Sequence, residues 1–507
     1  MTERRSSIAE KLDRCSFLWL ALAAVFSLFS NGKWNIPLAT WLSLVFSLRF
    51  WRTQPLKRGF IIYTFVSMVP FYFAWQGLVP IPGVGYFIFV VIVCLCNALI
   101  FVADHLLAPR LKGFVSTLVF PLAMVTMQYI MMLTSPYSSF GSLAYTQYGN
   151  LPLLQILSVT GLSGITFLLA WFASVVNWAW EQRFEWKKAW RGVVTYAGIL
   201  ALVLLFGGVS LLAPPSSDTT RMAAIPVTKF LLIDPAIHDS VQRLPSGEIT
   251  ETELESLRAE FSANIDDLLE RSEREARAGS SIIFWSECSG LVLKEDEAAL
   301  IERGRTLARQ EGIYLGMALG TITPGNILFE NKIVLIEPSG EIAWEYFKAR
   351  PVPGESSVRG DGEILTLDTP YGKIAVAICF DMDFPNLIRQ AGEAGVDVIF
   401  NPVNDWEEVA SLRMQMATFR AIENGFSLVR PTSNGFSVAT DYQGRVLAIT
   451  NYFTSEDPVM IAYVPTKGAT TIYSQIGDLF AWLCIAGFVA VIGWVVIRRK
   501  LVRRNPK

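Results

Sequence analysis

The sequence predicts a polytopic α-helical membrane domain joined to a water-exposed α/β domain, on three observations. First, of its 507 residues 52% are hydrophobic and only 17% charged, with a mean hydropathy of +0.38; soluble domains carry about 25% charged residues. Second, charge is segregated. Residues 214–474 hold 22 Lys and Arg against 38 Asp and Glu, a balance of −16, while the rest holds 21 against 7, a balance of +14. Third, apolar stretches of spanning length lie outside that acidic block, and strand-like and helix-like segments alternate inside it.

About eight stretches approach the 20 or so apolar residues that a spanning helix needs: 16–31, 34–50, 59–79, 82–103, 113–134, 152–179, 192–213 and 476–497. The first follows Arg4, Arg5, Lys11 and Arg14 like the apolar region of a signal peptide. No small-residue cleavage site comes after it and a second apolar stretch begins at once, so it reads as a retained helix. Lys and Arg decide the orientation. Twenty fall at the N-terminus, around 49–58, at 110–112, at 183–191 and in the tail from Arg498; the opposite loops hold only Lys33. Both termini are therefore expected in the cytoplasm and residues 214–474 outside it. The uncharged connection Ser135–Asn150, with Tyr137, Phe140, Tyr145 and Tyr148, is expected on the same side as the acidic block, either as an interfacial aromatic belt or as a lipid-entry lid beneath it.

Within the acidic block, strands are expected at Lys229–Ile233, Ser281–Trp285, Ile313–Ala318, Lys332–Glu337, Lys373–Ile378, Asp397–Asn401, Phe426–Arg430 and Phe436–Ala439. Amphipathic helices are expected at Thr252–Ala278, Glu295–Glu311 and Glu408–Asn424; in the first, Leu254, Leu257, Phe261, Ile265 and Leu268 recur at helical spacing. Turn signals at Pro338-Ser339-Gly340 and Tyr442-Gln443-Gly444 separate strands. The pattern is an α/β domain with a mixed sheet.

Several chemistries are excluded or disfavoured. A net charge of −2 gives nucleic acid no footprint. Six scattered cysteines without a C-x-x-C spacing form neither a disulfide scaffold nor a zinc ribbon. Two histidines, His105 and His238, rule out a multi-histidine metal site. Gly83-Val84-Gly85 lacks the rest of a dinucleotide fingerprint and suits helix packing better.

Three polar residues end apolar, strand-like runs. Glu287 follows Ile282–Ser286, Lys348 follows Ile342–Phe347, and Cys379 follows Ile374–Ile378. Reacting groups gather at strand ends. A cysteine becomes a good nucleophile beside a proton acceptor and a positive charge, and Glu and Lys supply both without histidine. Each residue alone has a plain structural explanation, Cys379 as core and Glu287 and Lys348 as solvated strand ends. Cys288, beside Glu287, is expected to point away from it on a strand as small core filler.

On these residues the block resembles the carbon–nitrogen hydrolase (nitrilase) superfamily: Trp285-Ser286-Glu287, Glu345-Tyr346-Phe347-Lys348 with Pro353-Gly354-Glu355, Cys379-Phe380-Asp381 with Phe384-Pro385, and Arg420–Gly425. Within it, the whole chain resembles the apolipoprotein N-acyltransferases, through Leu154–Ile156 and Thr160–Phe167 and through Thr471–Tyr473 with Gly477-Asp478. The resemblance implies an extracytoplasmic αββα sandwich over residues 214–474, a seven-helix membrane domain over 1–213, and a last helix with a basic tail over 475–507. It implies Glu287 as general base, Lys348 as oxyanion stabiliser, Cys379 as nucleophile and Glu355 as a second glutamate orienting the site, with the Phe380 N–H as a further donor.

The implied reaction is ping-pong. Cys379 takes an acyl chain from a phospholipid donor as a thioester, and the α-amine of a diacylglyceryl-cysteine lipoprotein receives it as an amide. The implied setting is the bacterial inner membrane with the catalytic domain on the periplasmic side and the pocket opening towards the membrane, as a monomer, with no metal or organic cofactor. The chain departs from the family pattern at four places. Ser286 stands where Pro is frequent, the Lys348–Glu355 segment is one residue short, Phe380-Asp381 replaces Tyr-Glu, and Arg413-Met414 stand near the usual Gln-His. The Asp after the nucleophile is common in soluble amidases, so a membrane-tethered amidase using the same residues is the alternative enzyme. A non-catalytic scaffold is the third reading, and the presence of Glu287, Lys348 and Cys379 together argues against it.

Overall fold

The computed structural model describes residues 15–228, 234 and 237–504. The chain divides into two compact units, Met1–Leu212 with Ile476–Lys507, and Ala213–Gln475.

The first unit is helical. Among the described residues five helices are long and apolar enough to cross a membrane, within Gly83–Arg110, Gly113–Thr134, Leu162–Glu181, Trp186–Leu212 and Leu479–Arg498. Three further helices match expected stretches but fall outside that group. Ser16–Leu28 has 13 residues, Pro37–Thr53 has 17, and Leu56–Trp75 begins with Lys57 and Arg58. The expected single stretch 152–179 is broken into Leu151–Leu154, Leu157–Thr160 and Leu162–Glu181. The last break falls at Gly161, whose φ of 58° suits a residue without a Cβ.

Leu162–Glu181 is the most enclosed of these helices, with 14 buried residues. Polar side chains tie it down where no water is available to compete. Asn177 Nδ2 donates to Val45 O at 3.0 Å, Trp171 Nε1 to Thr117 Oγ1 at 3.0 Å, and Tyr196 Oη to Leu168 O at 3.1 Å. Arg52 makes a two-pronged pair with Asp104, both contacts 2.9 Å. The 135–150 connection is held to its own unit. Asn31 and Asn35 donate to Gly141 O and Thr146 O, Gln147 Nε2 donates to Pro37 O, and Tyr145 is wholly buried with its hydroxyl 2.8 Å from Ser139 Oγ.

The second unit is an αββα sandwich. Its strands are β1 (Thr219–Ile225), β2 (Ile282–Trp285), β3 (Gly290–Leu293), β4 (Tyr314–Ile322), β5 (Glu330–Ile336), β6 (Ile342–Phe347), β7 (Thr366–Thr369), β8 (Gly372–Val376), β9 (Val398–Phe400), β10 (Val403–Asn404), β11 (Ser427–Arg430), β12 (Thr432–Ser433), β13 (Phe436–Thr440), β14 (Val446–Asn451) and β15 (Met460–Pro465). One sheet runs β15-β1-β2-β4-β5-β6 with β3 beside β4; the other runs β14-β13-β11-β9-β8-β7; β10 and β12 form a parallel pair. Both large sheets mix parallel and antiparallel pairs. The expected strand Lys229–Ile233 lies outside the described residues.

Side chains alternate across the pleat, and β2 shows how that builds layers. Phe284 stacks on Phe400 of β9 with centroids 3.9 Å apart, joining the sheets. Trp285 faces the other way and donates to Ser272 Oγ at 2.9 Å on helix Glu251–Arg277. That helix starts at a reciprocal cap between Thr250 and Glu253 and buries Leu257, Phe261, Ile265 and Leu268. Helix Glu407–Asn424 lies in the layer of the second sheet and is buried along most of its length. Chains that alternate this way present the carboxyl ends of β2, β6 and β8 as places for polar residues.

Candidate active site

Glu287 lies in the turn just past β2, Lys348 directly follows β6, and Cys379 comes three residues after β8. All three are buried, at 5%, 1% and 5% exposure. Cys379 opens a short 3₁₀ turn, Cys379–Asp383, and adopts φ 46°. A non-glycine residue in the left-handed region is held there by its surroundings. Here the Cys379 N–H donates to Pro402 O at 2.9 Å, and Asn401 Nδ2 donates to Ala377 O at 2.7 Å. This sharp elbow lifts the thiol off the sheet.

Lys348 Nζ donates to Glu287 Oε1 at 2.7 Å and to Glu355 Oε2 at 2.6 Å. Asn331 Nδ2 joins the same two carboxylates, at 2.8 Å and 3.2 Å. The other oxygen of Glu287 accepts the Asn404 N–H at 2.9 Å, and Glu355 also accepts from Val352 N and Ser357 Oγ. Burial disfavours charge on Glu287. Lys348, the Asn331 amide and the Cys379 thiol outweigh it and hold the carboxyl below its usual range. Burial likewise opposes the Lys348 cation, but Glu287, Cys379 and Glu355 raise its pKa well above the ordinary value. The resting pair is thus carboxylate and ammonium. Burial and then the Glu287 charge push the Cys379 thiol up, so it rests protonated beside a carboxylate able to take its proton.

Asp381 stabilises the elbow. It accepts from Tyr346 Oη at 2.8 Å, Ile378 N at 3.0 Å and Arg350 N at 2.7 Å. Burial raises its pKa to about 6 against those donors. Because Tyr346 and Arg350 flank Lys348, one carboxylate links the Lys348 strand end to the Cys379 turn. Arg413, on helix Glu407–Asn424, sets Nη1 3.2 Å from Cys379 Sγ and Nη2 3.1 Å from Asp383 Oδ2.

The structure therefore brings Glu287, Lys348 and Glu355 into one hydrogen-bonded cluster, with the Cys379 thiol against Glu287. Asn331, Asp381 and Arg413 were not assigned site roles from sequence. Asn331 is a lone Asn in a strand and carries no local signal. Asp381 and Arg413 had one, since both stand where the chain departs from the family pattern. Cys288 differs from expectation. It sits in the turn after β2 with φ 51°, not on the strand. It is still buried, packed towards Gly320 of β4.

Residues 250–472 match the carbon–nitrogen hydrolase family, and residues 18–175 match the apolipoprotein N-acyltransferase N-terminal domain family. The chain is 28% identical over 425 residues to an apolipoprotein N-acyltransferase of Geobacter metallireducens, covering 78% of this chain and 77% of that one. It is 25% identical to one of Rickettsia prowazekii, covering 68% and 69%. Among solved structures it is similar to an amidase from Nesterenkonia sp., at 19% identity and a TM-score of 0.38, over 52% of this chain and 95% of that one.

Proposed function

The chain is an acyltransferase of the carbon–nitrogen hydrolase superfamily that carries the N-terminal domain of the apolipoprotein N-acyltransferases, and from that premise we propose that it moves an acyl chain from a phospholipid to the N-terminal amine of diacylglyceryl-cysteine lipoproteins. The single observation behind the chemistry is the Cys379 thiol on a strained elbow beside a buried, lysine-paired Glu287. Glu287 takes the thiol proton, Cys379 attacks the ester carbonyl, and Lys348 stabilises the oxyanion. Glu287 returns the proton to the departing lysophospholipid. In the second half it takes a proton from the attacking amine as the thiolate leaves. Glu355 and Asn331 hold Lys348 and Glu287 in register for both halves.

The membrane unit supports a lipid donor. It carries a half-open cavity of about 650 Å³ lined by Phe71, Trp75, Phe89, Met132, Tyr137 and Phe140 among others. Mostly apolar walls of that size suit an acyl chain. The setting that fits is a bacterial inner membrane, with the catalytic unit on its periplasmic side as the Lys and Arg distribution predicts. Residues 1–213 and 475–507 serve as membrane anchor and lipid reservoir, and 214–474 performs the chemistry.

Intact mass analysis of the detergent-solubilised chain after incubation with a defined phospholipid tests this reading. The expected result is a gain of one acyl group on Cys379, discharged by a diacylglyceryl-cysteine peptide. An amidase would instead acquire adducts from small amides and none from phospholipid, and that outcome would replace the proposal.

A further inference from the structure

We propose that Arg413 is a catalytic residue whose guanidinium pairs with the sulfur of Cys379 and holds the thiolate that forms in each half of the transfer. This rests on Cys379 being the nucleophile, as proposed above. Arg413 Nη1 lies 3.2 Å from Cys379 Sγ, and the side chain is 6% exposed.

A purely structural role would be to neutralise Asp383 and Asp405. Nη2 does serve Asp383, at 3.1 Å. Asp405 already has Arg430, whose Nη2 is 2.6 Å from Oδ2, and Arg413 Nη1 stands 3.8 Å from its other oxygen. Charge neutralisation therefore accounts for Nη2 and, at an ion-pair distance of 3.8 Å, for part of the role of Nη1, whose hydrogen-bond contact at 3.2 Å is with the sulfur and not with a carboxylate. The fork is also aimed. The guanidinium lies over the Phe380 ring at 5.1 Å and the Trp406 ring at 5.9 Å, and Phe380 is the residue after the nucleophile.

Lys348 is poorly placed for the same task. Two carboxylates, Glu287 and Glu355, share its charge. Of the two cations that oppose the upward push on the thiol, Arg413 acts more strongly than Lys348. Arginine also stays protonated throughout a cycle that moves protons beside it. The groups facing Cys379 are Glu287, Lys348, Arg413 and Asp405, with Glu355 behind Lys348 and Asp383 behind Arg413.

The proton balance is simple. The Cys379 proton passes to Glu287, the S–C bond forms, the ester C–O bond breaks, and the alkoxide takes the proton back. In the second half the amine N–C bond forms, Glu287 takes a proton from that nitrogen, the C–S bond breaks, and Cys379 leaves as a thiolate beside Arg413 and then receives that proton from Glu287. Arg413 donates no proton in either half.

The test is iodoacetamide alkylation of Cys379 in the full chain in detergent, read by mass spectrometry of the Cys379 peptide across pH. Arg413→Gln is expected to slow alkylation at neutral pH about tenfold or more and to move its pH profile up by about one unit, since one unit is a tenfold change. Arg413→Lys is expected to restore most of the rate. Asp383→Asn, which removes the counter-charge behind Arg413, is expected to shift the profile the opposite way, which mere damage to the fold would not do. If Arg413→Gln fails to fold, the Lys and Asp383 variants decide the matter. An unchanged profile in Arg413→Gln, or equal slowing in Arg413→Lys and Asp383→Asn, overturns the role. If Cys379→Ala retains acyl transfer, the nucleophile assignment has failed instead. If Cys379→Ala is inactive while alkylation ignores Arg413, only this inference falls.

Discussion

The Tyr346 hydroxyl donates to the Asp381 carboxylate at 2.8 Å, and both groups are buried. Tyr346 lies two residues before Lys348 and Asp381 two residues after Cys379, so this bond spans the end of one sheet and the Cys379 turn on the other. It anchors the Asp that stands in the Cys379 turn. Its oxygens are committed to Tyr346 and to backbone N–H groups. Tyr346→Phe should cost about 1–3 kcal/mol of stability, the penalty for an unmet hydrogen bond to a buried group. Denaturant unfolding of the purified chain measures it, and a cost near zero would mean the bond does not hold the elbow.

Cys379→Ala should abolish acyl transfer while leaving the unfolding midpoint nearly unchanged, because a small thiol leaves little cavity. Cys288→Ala should remain active. Its side chain packs towards Gly320 of β4, where burial raises the thiol well above its ordinary pKa. Paired activity and melting measurements separate the two cysteines. An active Cys379→Ala with a dead Cys288→Ala would reverse the assignment.

Asn331 Nδ2 bridges Glu287 and Glu355. Asn331→Leu removes a donor to two carboxylates, and bonds to charged groups are worth about 1.5–3 kcal/mol. The expected consequence is a loss in kcat of roughly tenfold to a hundredfold, with KM for phospholipid little changed. A pure rise in KM would instead place Asn331 in substrate binding.

The Glu287–Lys348 pair also sets a pH window. The folded Glu287 pKa lies below 4.5, so its stabilisation is fully present above the unfolded value and is lost as pH falls through the folded one. Lys348 is raised above 10.5, so its share is fully present below that value and is lost only as pH rises through the folded pKa. The melting advantage of the natural chain over Glu287→Gln should therefore stay constant between about pH 5 and 10 and shrink below 4.5. An advantage that grows on acidification would contradict the assignment of Glu287 as a resting carboxylate.

Local pattern was enough to determine much of this protein. Helical spacing placed Thr252–Ala278, observed as Glu251–Arg277, because amphipathic periodicity and a capping box act within a few residues. Apolar runs ending near Glu287 and Cys379 marked two strand ends, since burial on both faces of a sheet reads as continuous hydrophobicity, whereas β6 before Lys348 has only Tyr346 buried and was marked by its aromatic residues. Tertiary structure decided what depends on contacts between distant residues. β1 and β15, which pair across the first sheet, were not legible, because neither has a local signal apart from the partner more than 200 residues away. The break at Gly161 hides in an unbroken apolar run. The same holds inside the site. Residue type suggested a base, a cation and a thiol, but the Asn331 bridge, the Asp381 brace and the Arg413 contact with sulfur exist only where separate strands, turns and helices meet, and hydrogen-bond geometry over that sequence distance is a property of the packed fold.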